Sequence, residues 1–480
     1  MATTASPYLR AEPRSPYGWL LAAGGLIAFA IAGGVSLAVG ELQALYVTIS
    51  IALCLAVFAD YRIGAVAMIL MLPMQNIVWF PHALLGITGL NPANLVLFAT
   101  LASYLIRGRQ GLRGSFVPAP LGWLYLLPIA LAGLLGAPNA GDIVPSFYER
   151  EVIHFTEAAG YLRDMLVRPL LLVVIALLVG AAAAQSQKPE RFLVPIAVSV
   201  WLMALVVIGY VLYAGVPIGR LAATSQREFL SALGVHANGV GRLFACAYAL
   251  LLFPWWDSKK PGLKLFLFLT MGVLAFALLL TFSRGAFTGF IVVNLLFLAW
   301  KFNFRTLGLA FLALAVAALF MPGYVIDRVT VGFDTGAAND MTAGRVEGIW
   351  MPLVHELYRS PLWGNGLGSV MWLTPMQTGA MLEVTHPHNA YIEALLDMGL
   401  IGLGLMLAYF WHVWRGLRTL GSNPWLSPEM RGIFQGAAAA LVCFLVTGMA
   451  GSSLRPDPDF IYLWLAIGLM YGMMARKPAG

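Results

Sequence analysis

Apolar stretches long enough to cross a bilayer follow one another along almost the whole chain, each ended by a short group of Pro, Gly, Asn or charged residues. A spanning helix needs roughly 17–25 predominantly apolar residues. On that criterion the chain divides into fourteen stretches, at 18–39, 44–59, 63–80, 91–106, 119–136, 167–184, 192–214, 239–255, 263–283, 286–301, 305–321, 390–412, 432–451 and 459–475. The second, fourth and sixth are short, so twelve or thirteen crossings fit the same pattern. None alternates apolar with polar residues at period two, as a barrel strand does. The pattern predicts an all-α polytopic membrane protein of about 12–14 transmembrane helices. A tail over 1–17 precedes helices within 18–321, a long polar segment covers 322–389, and further helices in 390–475 lead to a tail at 476–480. The first stretch follows Arg10 and Arg14 and is too long for a signal-peptide core, so it reads as an uncleaved anchor.

Composition narrows the class. The chain is 60% hydrophobic and 11% charged, against about 45–50% and about 25% in soluble domains, which excludes a water-soluble fold. Disorder needs the opposite balance. Cys54, Cys246 and Cys443 all lie inside apolar runs and offer neither a disulfide framework nor metal-ligand spacing. The net charge of +7 would point to nucleic acid in a soluble protein, but here membrane topology sorts it. Basic residues gather on the cytoplasmic side. With both termini inside, that side holds 18 of the 29 basic residues, every lysine among them. Of the acidic residues, only Glu12, Asp60, Glu190, Asp257 and Glu429 join them. The outer face then carries six of the seven histidines: His82, His154, His236, His355, His386 and His388. Eleven arginines and the long loops at about 137–166 and 322–389 also face outward. Loops of that length are usually functional, and this compartment has no ATP or NAD.

Three segments carry candidate chemistry. Thr281-Phe282-Ser283-Arg284-Gly285 sets an arginine at the outer end of a helix, and a guanidinium is a permanently charged fork suited to phosphate. Alone, it reads first as an interfacial residue snorkelling to headgroups. Arg220 and Arg227 lie in the outward loop ending at His236-Ala237-Asn238. Gly344-Arg345 to Trp350 opens a stretch with apolar residues at 346, 349, 350, 353, 354 and 357. That helical spacing predicts an amphipathic helix over 342–359, stopping before Pro361. Leu362-Trp363-Gly364-Asn365-Gly366-Leu367-Gly368 lacks the strand–turn–helix context of a nucleotide loop and reads as a tight turn.

The densest signal runs from Thr385-His386-Pro387-His388-Asn389-Ala390-Tyr391 to Asp397-Met398-Gly399. Asn389, Glu393 and Asp397 recur every four residues and form one polar stripe, about 12 Å long at 1.5 Å rise per residue. A carboxylate at that depth is functional or paired with a cation such as arginine. Histidine is the natural base for activating a hydroxyl near neutral pH. The pair His386 and His388 also admits a metal-ligand reading with His236, and a plain loop reading.

Taken together, these segments resemble the O-antigen ligase/polymerase superfamily. An outward arginine follows a membrane helix, and Gly344-Arg345 to Trp350 precedes Pro361-Leu-x-Gly-x-Gly-x-Gly368. His386-x-His388-Asn389-x-Tyr391 then enters a helix with Gly399-x-x-Gly402. The likeness covers roughly 215–450; the N-terminal third matches only as a run of helices. It implies a GT-C-type glycosyltransferase of the bacterial inner membrane, with its site facing the periplasm and no metal or other cofactor. The implied donor is a glycan on undecaprenyl diphosphate. The implied acceptor is a sugar hydroxyl on another lipid-linked glycan or on lipid A–core, so membrane lipids are partners and nucleic acid is not. The resemblance assigns His388 to acceptor activation and Arg284 to the diphosphate, with Arg227 or Arg220 beside it. Asn389, Glu393, Asp397, His386 and Arg345 take supporting places. It leaves polymerase and ligase undivided. A second class, a transporter or flippase for lipid-linked oligosaccharide, also suits many helices and an arginine-lined cavity. Internal repeats and broken helices are its marks, and the sequence shows neither.

Overall fold

Among the described residues, the apolar stretches fold as helices. A computed structural model describes residues 42–108, 114–215, 229–320, 342–451 and 453–476, with a few isolated positions besides. Arg220 and Arg227, most of the 18–39 stretch and most of 322–341 lie outside the described residues. Eight described helices are long and apolar enough to cross a membrane.

The chain forms two compact units. In the smaller, α1 (Gln43–Ala59) packs against α3 (Pro92–Ile106). Gly64, near the start of α2 (Tyr61–Met74), lies against Thr100, where a Cβ would collide with the hydroxyl. Asn91 caps α3 by accepting from the Asn94 amide at 2.8 Å, with Pro92 next to it. The stretch expected to be helical through 80 stops at Met74, and Ala83–Leu84 pairs antiparallel with Ile87–Thr88. Pro81, Gly86 and Gly89 break the helical pattern here.

The larger unit contains α4 (Ala119–Asp142), α5 (Ala158–Ala184), α6 (Pro189–Ala214), α7 (Ala237–Asp257), α8 (Pro261–Leu280), α9 (Arg284–Trp300) and α10 (Phe304–Phe320). After the amphipathic α11 (Met351–Arg359) come α12 (Ala390–Gly421), α13 (Pro428–Ala450) and α14 (Pro458–Ala475). Small residues let the backbones touch. A Cβ on Gly180, Gly468 or Gly472 would run into the carbonyl of the facing helix, so α5 and α14 pack face to face. Gly432 and Gly436 do the same for α13 on α7.

Two boundaries differ from the sequence pattern in a way that matters. The loop expected over 137–166 is partly helical: α4 runs on to Asp142 and α5 already starts at Ala158. The stretch expected to end at 412 continues to Gly421, where Arg418 complements the C-terminal dipole. That helix is also broken. Gly399 has φ 65° and ψ −171°, so α12 is interrupted a few turns below its start. The glycine-rich loop fills the break. The Asn365 and Gly366 amides donate to the carbonyls of Leu396 and Asp397, and the Leu400 and Ile401 amides donate to those of Pro361 and Leu362. Every backbone group named here that the kink frees finds a partner in the same chain.

Candidate functional site

The starts of α7, α9, α12 and α14 and the end of α13 meet at one end of the larger unit. Arg242 on α7 is ion-paired with Asp459 on α14, Gly241 lies against Thr281, Ser283 and Ala286 around the start of α9, and Tyr391 on α12 donates to the Leu445 carbonyl of α13 at 2.6 Å. This end holds Arg284, His386, His388 and Asn389 from the predicted set.

Asn389 is the N-cap of α12: its side chain accepts from the amides of Tyr391 and Ile392 at 3.0 and 3.2 Å. His388, just before it, is held in a left-handed conformation with φ 54°. Its amide donates to His386 Nδ1 at 3.2 Å, and the two imidazoles meet edge to face with ring centres 4.1 Å apart. Trp350 Nε1 donates to the Pro387 carbonyl at 2.8 Å, so the turn that opens the amphipathic segment clamps the His-Pro-His bend. The predicted helix over 342–359 is present as Val346–Trp350 running into Met351–Arg359. It buries Ile349 and Leu353 and leaves Met351, Val354 and Tyr358 exposed.

Five non-glycine residues among those described have positive φ: Leu85, Glu151, Phe282, Ala343 and His388. Each such residue costs on the order of 1–3 kcal/mol, and such strain clusters at functional sites. Phe282 lies two residues before Arg284, Ala343 two before Arg345, and His388 is the candidate base itself. Local strain therefore accompanies three residues that the sequence singles out.

Both histidines titrate low. Burial is the main cause, followed for His388 by the positive charges of Arg345, His236 and Arg242; it falls to about 4. His386 falls to about 3, through burial and then through His388, Arg242, Arg345 and His236. His388 is therefore a neutral imidazole at pH 7, able to accept a proton. His236 caps α7, its Nδ1 accepting from the Asn238 amide at 3.1 Å. A cavity of about 110 Å³ opens beside it, bordered by Gly239, Val240, Pro458 and Asp459. That is room for a few waters at about 30 Å³ each. Among the described residues no three His, Cys, Asp or Glu side chains are placed to hold a metal ion.

The predicted supporting carboxylates have other partners than the histidines. Glu393 Oε1 accepts from Arg455 Nη2 at 3.0 Å. Asp397 accepts from the amides of Gly368 and Ser369 at 2.9 and 3.0 Å and from the Ser369 hydroxyl at 2.9 Å. The polar stripe on α12 is thus an anchor: Asn389 caps, Glu393 holds the loop before α14, and Asp397 holds the glycine-rich loop in the break. Arg284 heads α9 behind the cap residue Ser283, whose hydroxyl accepts from the Ala286 amide at 3.3 Å. Its neighbours Ser283 and Ala286 lie against Gly241, so the start of α9 adjoins the first turns of α7, while the arginines acting on the histidines are Arg345 and Arg242.

The sequence pattern did not single out Arg242, Arg455, Asp457 or Asp459. Arg455 reaches Glu393, the Met165 carbonyl at 3.3 Å and Ser453 Oγ, joining α12, α5 and the last loop. Asp457 Oδ1 accepts from the Asp459 amide at 2.7 Å, and burial pushes the Asp457 carboxyl up to about 7. Alternating charge in Arg455-Pro-Asp457-Pro-Asp459, squeezed between two apolar stretches, was the available signal.

No curated protein matches the chain. Residues 269–407 match a family model described as O-antigen ligase. The matched stretch takes in most of α8, all of α9 and α10, the Arg345–Trp350 turn, the glycine-rich loop, His388 and the broken half of α12, and over these residues the chain is similar to the O-antigen ligase family.

Proposed function

We propose that this protein is a GT-C-type glycosyltransferase of the bacterial inner membrane, with its site facing the periplasm. It moves a glycan from undecaprenyl diphosphate to a sugar hydroxyl, either of a second lipid-linked chain, as a polymerase, or of lipid A–core, as a ligase. The observation that carries this reading is a neutral His388, strained and clamped at the cap of α12, facing Arg345, His236 and Arg242. A base that must take a proton beside an anionic leaving group needs such an arrangement.

The acceptor oxygen attacks the anomeric carbon and its proton passes to the His388 imidazole. The bond between that carbon and the phosphate oxygen breaks, and undecaprenyl diphosphate departs with the electron pair. Arg284 and Arg345, with Arg227 or Arg220, stabilise the charge that develops on the diphosphate; fixed cations do this well because they need no reorganisation. Attack opposite the leaving group inverts the anomeric centre. The chemistry calls for no nucleotide and no metal, since the diphosphate is activated already. Binding of the dianionic donor offsets the arginine charges around His388 and raises its basicity when the acceptor arrives.

Reconstitution with an undecaprenyl-diphosphate glycan and two acceptors tests this. Longer polyprenyl-linked chains identify a polymerase, and modified lipid A–core a ligase. His388→Ala is expected to lower transfer by about 10²–10⁴-fold and Arg284→Ala by about 10²–10³-fold, with helical content and gel-filtration behaviour unchanged. Full activity in either variant removes that residue from the mechanism, and labelling that places 342–389 in the cytosol overturns the orientation.

A further inference from the structure

The opposite end of the larger unit holds a second feature. The end of α7 and the starts of α8 and α10 border a recess of about 600 Å³, lined by Trp256, Lys264, Arg305, Gly308, Leu309 and Leu312. We propose that this recess binds the phosphate headgroup of an anionic phospholipid, independently of the transfer reaction.

Charge is the first argument. Lys259, Lys260, Lys264, Lys301 and Arg305 crowd this corner. Lys301 Nζ lies 2.7 and 2.8 Å from the two oxygens of Asp257. Lys260 Nζ is 3.2 Å from Glu429 of α13, which also accepts from Ser258 Oγ at 2.9 Å. Those pairs use up the local carboxylates. Lys264 and Arg305, the two cations that line the recess, have no acidic partner among the described residues. Two helices also begin here, α8 at Pro261 and α10 at Phe304, and their positive ends add to the field.

Shape and surroundings select the ligand. Trp256 supplies the aromatic part of the lining, and Lys264 Nζ lies 5.8 Å from the centre of the neighbouring Trp255 ring. Nothing lies within 4 Å of where a Gly308 Cβ would be, so the wall is open there. Leu309 and Leu312 of the lining are exposed, as are Leu265, Phe268, Phe304 and Phe311 outside it, a surface for acyl chains. A free phosphate has no use for that apolar skirt, and a zwitterionic headgroup brings a cation against Lys264 and Arg305. An anionic phospholipid matches both halves.

Native mass spectrometry of the full chain tests the proposal, with phosphatidylglycerol, phosphatidylcholine or inorganic phosphate added separately. Phosphatidylglycerol should remain bound and phosphatidylcholine should not. The double variant Lys264→Gln/Arg305→Gln should lose retained phosphatidylglycerol roughly tenfold or more, as two cation contacts vanish, while Lys259→Gln, outside the recess, retains it. Gel filtration confirms that each variant is folded. Equal retention in the double variant and the parent overturns the proposal, as does equal retention of both lipids. Phosphate bound without lipid preference overturns the lipid source.

Discussion

The two ends of the larger unit handle positive charge differently. At the His388 end, cations are drawn into the fold and matched by buried carboxylates: the Arg455 and Glu393 side chains are 14% and 5% exposed. At the other end, the corresponding pair is lopsided, with Lys260 59% exposed against 3% for Glu429. A buried pair adds little net stability as built, but removing one partner strands a charge at a cost of several kcal/mol. An exposed cation is hydrated with or without its partner and its pair contributes little. The first end is fixed in place, as chemistry requires. The second keeps one enclosed pair, Lys301 with Asp257 at 16% and 18% exposed, beneath an exposed basic surface that includes Lys260, as contact with headgroups requires.

The sharpest way to break that comparison is to remove one cation from each end. Arg455→Met leaves Glu393 buried without its cation and the Met165 carbonyl without its donor. It is expected to destabilise the protein by about 3–5 kcal/mol and to loosen the helix start that presents His388. Lys260→Met should cost about 0–1 kcal/mol, since the lysine is hydrated either way and Glu429 keeps the Ser258 hydroxyl as its donor. Thermal unfolding in detergent, followed by circular dichroism, compares the two. Equal shifts would mean that the ends do not differ in the way the ion pairs imply.

A smaller effect sharpens the comparison within α12 itself. At Gly399, φ is 65° and a Cβ would strike the Leu362 carbonyl and the Trp363 amide. Gly404, further along the same helix, has nothing within 4 Å of that position. Gly399→Ala is expected to cost about 1–3 kcal/mol and to release the loop over 361–369, seen as faster amide exchange there. Gly404→Ala should be neutral or slightly stabilising, since alanine is the better helix former. Unchanged exchange at 361–369 in Gly399→Ala would show that the break does not depend on glycine.

Features carried by neighbouring residues could be read from the sequence; features made by distant partners could not. Helix positions follow from runs of apolar residues, and Asn389 and the paired histidines are separated by a few residues. The break at Gly399 is different. A glycine in a helix is a modest signal, and the break exists because Pro361–Ser369 arrives to satisfy the freed backbone groups. Glu393 and Asp397 were recognisable as buried carboxylates, but not their partners, since Arg455 comes from 62 residues further on. Arg242 was hidden inside an apolar stretch until Asp459, 217 residues later, explained its burial. The broken helix also resembles a transporter feature, yet the freed groups are bonded within the chain rather than turned to a bound ion.

The finest test concerns the arginine that acts most strongly on His388. Burial and then Arg345, His236 and Arg242 hold that imidazole down to about 4, below its ordinary 6.5. A base of this kind works only when unprotonated, so activity is present above its pKa and lost as pH falls through it. kcat/KM reports the free enzyme and kcat the donor complex. The acid limb of kcat/KM is therefore expected below 6.5, and that of kcat at higher pH, because the diphosphate cancels arginine charge. Arg345→Gln removes the largest of the charges that depress His388. Its kcat/KM limb should move up toward 6.5, and the gap between the two limbs should narrow. Profiles of transfer rate against pH for the two proteins measure both shifts. A limb that stays in place, or moves down, would show that Arg345 does not set the protonation of His388 and that its role is confined to the leaving diphosphate.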